Sequence, residues 1–243
     1  MNFLLLGHGK TGSLVAAIAR EHGHNLTVLP SAENQAGAGL TPDRLRGVDA
    51  VIDFTTPEAV VHNIEACCRA HANIVVGTTG WYDEIPRLEE LVEKAGNALV
   101  YASNFSIGVN LFFDLARLAG TAARHGYDAR IVERHHIHKK DQPSGTAISI
   151  ASKLVEATTD GIDTTAPQET NLRQWHFSIP IESIREGEIV GEHTIILESP
   201  ADTITLQHSA KSRRGFAEGA VAAAEWIKGK TGFFEFHDIV DQL

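Results

Sequence analysis

A chain of 243 residues with 21 Lys and Arg against 31 Asp and Glu carries a formal charge of −10, which disfavours polyanions and argues against nucleic acid as a partner. Its 43% hydrophobic and 21% charged residues belong to a chain that builds a core and exclude a disordered one. No apolar run approaches the roughly 18 residues of a membrane helix, and the opening MNFLLL meets Gly7 too early for a signal peptide, so a soluble, cytoplasmic protein without a membrane partner is expected.

The first half alternates short apolar runs with amphipathic segments. Asn2 to Leu6 predicts a buried strand, Thr11 to His22 a helix with Leu14, Val15, Ile18 and Ala19 on one face, and Leu26 to Leu29 a second strand. Further strands are expected over Ala50 to Phe54, Ile74 to Gly77 and Ala98 to Tyr101, with helices over Pro57 to His71 and Tyr82 to Ala95 between them. This is the pattern of a doubly wound parallel sheet covered by helices, a Rossmann-like α/β arrangement. The cysteines, Cys67 and Cys68, are adjacent in an expected helix, which suits packing and neither an ordinary disulfide nor a zinc site.

After Asn104 the pattern changes. Val109 to Arg124 reads as a helix, Tyr127 to Glu133 as a strand and Ser144 to Ala157 as a helix, followed by a loop over Thr158 to Thr170. Phe177, Ile179 and Ile181 alternate with polar residues, Glu186-Gly187 is a turn, and Glu188 to Glu198 and Thr203 to Ala210 complete an expected antiparallel meander. This change predicts a second, α+β domain with a mostly antiparallel sheet over 106–215. Residues 1–105 and 216–243 are assigned to the dinucleotide-binding domain, because the last helix, Phe216 to Lys228, can return to the first sheet. The meander carries Ile179, Ile181, Ile189, Ile195, Ile196, Leu197, Ile204 and Leu206 but has only two helices to cover it, which predicts a homo-oligomer.

Gly7-His8-Gly9-Lys10-Thr11-Gly12 fits G-x-G-x-x-G after a strand and before a helix, where glycines admit a pyrophosphate to the backbone and to the helix N-terminus. At the carboxyl ends of other strands lie Asp53-Phe54-Thr55-Thr56-Pro57, Gly77-Thr78-Thr79-Gly80 and Ala102-Ser103-Asn104-Phe105, each of which is also ordinary turn chemistry. The densest segment runs from Glu133 through Arg134-His135-His136-Ile137-His138-Lys139-Lys140-Asp141-Gln142-Pro143 to Ser144-Gly145-Thr146-Ala147. Imidazoles and ammonium groups leave a strand there, and a Ser-Gly-Thr turn at a helix N-terminus suits a carboxylate. Lys139 or Lys140 can hold a second anionic group or give up a proton. Two readings compete with a small anionic substrate: a solvated polar loop, and a metal held by His135, His136 and His138. The two lysines beside Asp141 oppose a cation, so no metal is expected.

With these segments in this order, the chain resembles the dihydrodipicolinate reductases, also named 4-hydroxy-tetrahydrodipicolinate reductases, of bacterial lysine biosynthesis. Glu133 to Ala147 matches the family pattern E-x-H-H-x-x-K-x-D-x-P-S-G-T-A, and Asp53-Phe54-Thr55, Gly77 to Gly80, Asn104 to Asn110 and Gly191-Glu192-His193-Thr194 also look like family segments. The resemblance implies reduction of 4-hydroxy-tetrahydrodipicolinate, a small dicarboxylate ring, to tetrahydrodipicolinate with NADH or NADPH, by a homotetramer. It implies Lys139 as proton donor and His135 as acid/base histidine, with His136, Ser144, Gly145 and Thr146 holding the substrate. Gly7, His8, Gly9, Lys10, Thr11, Gly12, Phe54, Gly77, Thr78, Thr79, Ala102, Ser103, Asn104 and Phe105 are implied to form the dinucleotide site.

The chain departs from many members in two places. Lys10-Thr11 stands where they carry Arg-Met in a longer turn, and Leu29-Pro30-Ser31-Ala32 stands where they end the second strand on an acid. The first acid after that strand, Glu33, lies beyond Ser31, and the next arginine, Arg44, is far along the chain, so neither cofactor selector is in place. Lys10 and Ser31 favour a 2′-phosphate slightly, and use of both nicotinamides within about tenfold is expected. Reduction of another small anionic imine or semialdehyde is the alternative activity. Its thioester-forming version needs a cysteine in the second domain, and none is present. A sensor that has lost catalysis has no evident use for His135, His136 and Lys139.

Overall fold

The computed structural model describes residues 1–159 and 179–243, which divide into two compact units, Met1–Ile107 with Arg213–Leu243, and Gly108–Ser212. In the first unit the chain order is β1 (Asn2–Leu6), α1 (Lys10–Glu21), β2 (Asn25–Leu29), α2 (Pro42–Leu45), β3 (Ala50–Asp53), α3 (Pro57–Arg69), β4 (Ile74–Val76), α4 (Ile85–Ala95) and β5 (Ala98–Tyr101). The second unit contributes α5 (Ile107–Gly120), which starts at the boundary, then β6 (Asp128–His135), α6 (Gly145–Thr159), β7 (Ile181–Arg185), β8 (Glu192–Glu198) and β9 (Thr203–Ser209). The chain returns to the first unit with α7 (Arg214–Trp226), β10 (Gly232–Glu235) and α8 (Phe236–Ile239).

Among the described residues, the first sheet has the order β10-β5-β4-β3-β1-β2, and every pairing in it is parallel. Apolar residues fill the central strands because both faces are covered. Phe3, Leu5, Ile52, Val75 and Val100 face a cluster with α1 and α7, while Leu4, Leu6, Val51, Ile74, Val76 and Leu99 face one with α3 and α4. Cys67 and Cys68 are buried in the second cluster, where burial pushes both thiols up. The alanine-rich face of α7, with Ala217, Ala220, Val221, Ala223 and Ala224, is buried, and a Cβ on Gly219 would stand 1.7 Å from the Phe105 carbonyl oxygen. The chain adds β2 on one side of β1 and β3 on the other, and this switch in strand order makes the carboxyl ends of β1 and β3 the crevice where such sheets take ligands. Three elements were not legible in the sequence: α2, α8 and the edge strand β10. They are short, and Phe233-Phe234 in β10 shows no periodicity.

The second sheet has the order β7-β6-β8-β9. The expected meander is corrected here. β7 pairs parallel to β6, β8 pairs antiparallel to the other side of β6, and Glu186-Gly187 therefore links strands that are not neighbours. The chain after β7 instead crosses the end of β6, with the Glu186 amide donating to the His135 carbonyl at 2.9 Å and the Ile137 amide to the Gly187 carbonyl at 3.2 Å. β8 starts at Glu192, later than expected. Thr158 and Thr159, placed in a loop by the sequence, end α6, while the rest of that loop and Phe177 lie outside the described residues.

Helices α5 and α6 cover one face of this sheet, joining Phe112, Ala116, Ile150 and Leu154 to Ile131, Ile195 and Leu197. They approach closely, since a Cβ on Gly120 would stand 2.2 Å from the Leu154 carbonyl oxygen. Most of the apolar residues expected to leave a wet sheet face are instead covered within this unit. Alternation turns Ile181, Ile195, Leu197 and Leu206 towards the helices, leaving Val132, Ile184 and Ile196 on the outer face among Arg130, Arg134 and Glu192.

Candidate active site

At the carboxyl end of β1 the Gly7 to Gly12 turn is set by backbone contact. Gly7 takes φ +83°, and a Cβ there would meet the Phe54 carbonyl oxygen at 2.1 Å, while a Cβ on Gly12 would meet the Gly7 carbonyl oxygen at 2.1 Å. Gly9 differs, because nothing lies within 4 Å of the position its Cβ would take. It precedes α1, and no side chain caps the helix, so its first amides face open space beside an absent side chain. That space continues into a cavity of about 300 Å³ lined by Gly9, Lys10, Thr11, Gly12, Phe54, Thr55, Gly77, Thr78 and Thr79, on the ends of β1, β3 and β4. Gly77 is required because a Cβ would stand 2.1 Å from the Phe54 ring. These features fit a dinucleotide pyrophosphate at a helix N-terminus.

The rim is braced from beneath by Asp53, which is fully buried. It accepts from Thr55 Oγ1 at 2.7 Å, Thr78 Oγ1 at 2.8 Å and Asn63 Nδ2 at 2.7 Å. Burial raises its carboxyl, opposed by those hydrogen bonds. Asn63 in turn accepts from Asn34 Nδ2 at 2.8 Å, and Asn34 accepts from the Gly39 amide at 3.1 Å, tying the loop after β2 to the end of β3. Arg44, set aside in the sequence as distant, places Nη1 and Nη2 each 3.1 Å from Glu33 Oε2, because α2 folds back beside that loop. Of the residues expected after β5, Ser103 is exposed, whereas Ala102, Asn104 and Phe105 are buried. Phe105 packs against Phe54 and Phe236 at centroid distances of 6.3 and 4.8 Å. Its side chain is therefore a wall of the core.

The second unit builds its polar cluster around Glu133, which is fully buried on β6. Glu133 accepts from Arg185 Nη2 at 2.8 Å, from the Ser144 amide at 3.3 Å and, through a short bond, from His135 Nδ1. Burial works to raise its carboxyl, but the bonds from Arg185, Ser183 and His135 outweigh it and hold Glu133 below the usual carboxylate range. With Nδ1 committed to Glu133, His135 has Nε2 left for chemistry. A Cβ on Gly191 would stand 3.1 Å from that atom, so glycine there keeps it clear. Burial holds His135 below the ordinary imidazole value, with Glu133 pulling upward and the charge of Lys139 adding to the depression.

Lys139 lies in the loop after β6, half-buried, with Nζ 2.7 Å from Asp141 Oδ2. That hydrogen bond holds Asp141 below its usual range. Arg185 Nη2 also donates to the Asp141 carbonyl at 2.6 Å, which anchors the loop to the Glu133 cluster. Ser144 precedes α6 and caps it, accepting from the Ala147 amide at 3.2 Å, and its Oγ also meets His193 Nε2 at 3.2 Å. Gly145 is exposed and Thr146 half-buried beside this helix start. The three clustered histidines separate: His135 is buried, His136 half-buried, and His138 is exposed with Nε2 3.7 Å from Glu188. Among the described residues, the acid and histidine groups whose ligand atoms come within 4.8 Å are His22, His24 and Glu225, and Glu133, His135 and His193. Neither contains His136 or His138.

Glu133, Arg185 and His193 are the residues whose place in this site the sequence reading did not assign. Glu133 and His193 were quoted within motifs, and an acid two residues before a histidine on one strand face was the available signal. Arg185 carries none, since its neighbour in space comes from the parallel β6–β7 pairing, which spacing along the chain does not report.

Residues 1–105 match the family described as "Dihydrodipicolinate reductase, N-terminus" and residues 108–240 the one described as "Dihydrodipicolinate reductase, C-terminus". A 4-hydroxy-tetrahydrodipicolinate reductase of Christiangramia forsetii is 38% identical, with 100% of this chain and 99% of the relative covered. One from Natronomonas pharaonis is 35% identical over 99% of this chain and 100% of the relative. Among solved structures, a dipicolinate-bound dihydrodipicolinate reductase from Paenisporosarcina sp. TG-14 shares the fold, with a TM-score of 0.76 and 24% identity over 98% of this chain and 99% of that one.

Proposed function

The chain belongs to the dihydrodipicolinate reductase family, and from that premise we propose how its own residues carry out the family's reaction. It is an oxidoreductase that reduces 4-hydroxy-tetrahydrodipicolinate with a pyridine nucleotide, in the diaminopimelate route to lysine. The nucleotide, when bound, supplies a hydride. The uncapped start of α1 and the open space at Gly9 support a pyrophosphate there, with Phe54, Thr78 and Thr79 on the neighbouring strand ends. Both NADH and NADPH are used.

The observation that carries the reading is the cluster in which Glu133 fixes His135 through Nδ1 while Arg185, bonded to the same Glu133, also holds the Asp141 carbonyl in the loop that carries Lys139. The ring loses its 4-hydroxyl and a neighbouring hydrogen as water to become a conjugated imine, and hydride addition to that imine leaves electron density on the ring that takes a proton. Lys139 gives that proton from Nζ once it leaves Asp141, and neutral His135 helps position it through Nε2. The Ser144-Gly145-Thr146 turn opens α6, so the Gly145 and Thr146 amides and the Thr146 hydroxyl receive one substrate carboxylate while His136 contacts the ring. Assembly as a homotetramer is part of the same proposal.

Dipicolinate, the ligand named for the solved relative, is the binding probe. Calorimetry is expected to show saturable binding to the wild type and a loss of about 1.5–3 kcal/mol in Thr146→Val, the value of one hydrogen bond to a charged group. Wild-type protein that does not bind dipicolinate, or a variant that binds it equally well, would contradict the assignment of the turn.

A further inference from the structure

The far end of α1 carries a cluster that plays no part in the site above. The helix stops in a Schellman turn: Gly23 takes φ +78°, its amide donates to the Arg20 carbonyl at 3.0 Å, and the His24 amide donates to the Ala19 carbonyl at 2.9 Å. This fixes the backbones of His22 and His24 on either side of one glycine. The His24 ring also packs on Phe3 at a centroid distance of 4.7 Å. Burial of Val15, Ile18 and Ala19 with Ala220, Val221 and Ala224 lays α7 beside α1 and brings Glu225 to the same place. His22 Nδ1 and His24 Nε2 then converge on one oxygen, Glu225 Oε1, at 3.2 and 2.6 Å, although Glu225 lies 203 residues along the chain from His22. Glu225 Oε2 makes no hydrogen bond among the described residues.

We propose that His22, His24 and Glu225 bind a divalent transition-metal cation of the zinc type, which clips the end of α1 to the end of α7, with water completing its coordination. Two imidazole nitrogens and one carboxylate oxygen suit Zn²⁺, Co²⁺ or Ni²⁺ and disfavour Mg²⁺ and Ca²⁺, which take oxygen ligands. The three ligand atoms already lie within 4.8 Å of one another. Around a tetrahedral zinc, ligand atoms stand about 3.3 Å apart, so the His24 contact opens by less than about 1 Å, within reach of a rotation of the half-exposed Glu225 side chain. Burial works to raise the Glu225 carboxyl, but the contacts from His24 and His22 hold it below the usual range, so it is an anion at neutral pH. Arg214, beside this helix end, is engaged by Glu21 and Glu218. The Met1 amino group lies 3.1 Å from His24 Nδ1 and opposes a cation until it loses its proton; a metal on Nε2 leaves Nδ1–H to donate to the neutral amine, so binding releases protons and strengthens towards about pH 8. The other cluster of this kind, Glu133, His135 and His193, has Arg185 Nη2 at 2.8 Å from its acid, a fixed cation that excludes a metal. The proposed site lies at the opposite end of the 12-residue α1 from the nucleotide turn and does not depend on the reductase reading.

The test is a calorimetric titration of Zn²⁺, and of Mg²⁺ for comparison, into untagged protein at about pH 8, followed by thermal unfolding with and without zinc. Wild-type protein is expected to bind Zn²⁺ and not Mg²⁺, with a rise in Tm of roughly 5–10 °C when zinc stands about a hundredfold above its Kd. His22→Asn and Glu225→Gln change side chains that are 42% and 37% exposed, so both variants fold. Each is expected to weaken zinc binding by at least about tenfold, the least that loss even of an outer-shell partner costs, and to abolish the rise in Tm. His138→Asn, at an exposed histidine outside the cluster, is expected to keep wild-type affinity. No zinc-dependent rise in the wild type, unchanged affinity in both cluster variants, or loss of binding in His138→Asn would overturn the proposal.

Discussion

Lys139 and Asp141 pair at 2.7 Å, which holds the half-buried ammonium without leaving its charge uncompensated. If Lys139 donates the proton, Lys139→Met lowers kcat by about 100 to 10,000-fold, the usual range for general acid catalysis, while circular dichroism and thermal unfolding stay near wild type. A folded variant with wild-type kcat would remove Lys139 from that role. His135 answers to a different constraint: burial, aided by the charge of Lys139, lowers it against the upward pull of Glu133, which favours a neutral imidazole at neutral pH. Much of this residue-level chemistry was legible in the sequence, because histidines, lysines and a Ser-Gly-Thr turn fall within one short segment. Arg185 and the Arg44–Glu33 pair were not. Each joins residues from elements whose neighbourhood depends on tertiary packing, which spacing along a chain does not report.

At the scale of elements, the glycines that open α1 separate fold from ligand. A Cβ on Gly12 would stand 2.1 Å from the Gly7 carbonyl oxygen, a backbone atom that cannot move aside, so Gly12→Ala is expected to cost about 1–3 kcal/mol in urea unfolding. Gly9 has φ −77°, available to alanine, and open space beyond it. Gly9→Ala is therefore expected to keep wild-type stability while raising KM for the nicotinamide nucleotide, since the methyl occupies the approach to the first amides of α1. A stable Gly12→Ala, or a Gly9→Ala with unchanged nucleotide KM, would contradict this division. The first sheet was legible because strands buried on both faces read as unbroken apolar runs, as in Leu4-Leu5-Leu6 and Ile74-Val75-Val76. The second was read less well. Strand existence follows from alternation, but partner choice does not: alternation suggests a β7–β8 hairpin, whereas β6 lies between the two.

For the whole molecule, burial of neutral histidines links stability to pH. His193 is lowered to about 4 by burial, with His135 adding to the effect, and His135 and His208 are lowered in the same direction. The unfolded chain takes these protons near the ordinary imidazole value, so their stabilisation is complete above about pH 6.5 and is lost as pH falls towards about 4. Asp53, raised by burial, acts in the opposite sense but is one group against three. Urea midpoints are expected to fall between about pH 7 and pH 5, and His193→Gln to flatten that slope. An unchanged slope would show that the buried imidazole is not the coupled group.

The account stands most directly on turnover. Freshly made 4-hydroxy-tetrahydrodipicolinate, generated from pyruvate and aspartate semialdehyde by a coupling enzyme, would be mixed with the protein and NADH or NADPH while nicotinamide absorbance is followed. Loss of absorbance with both nucleotides, with kcat/KM values within about tenfold of each other, is the predicted result. No oxidation of either nucleotide by protein that is folded and binds dipicolinate would contradict it.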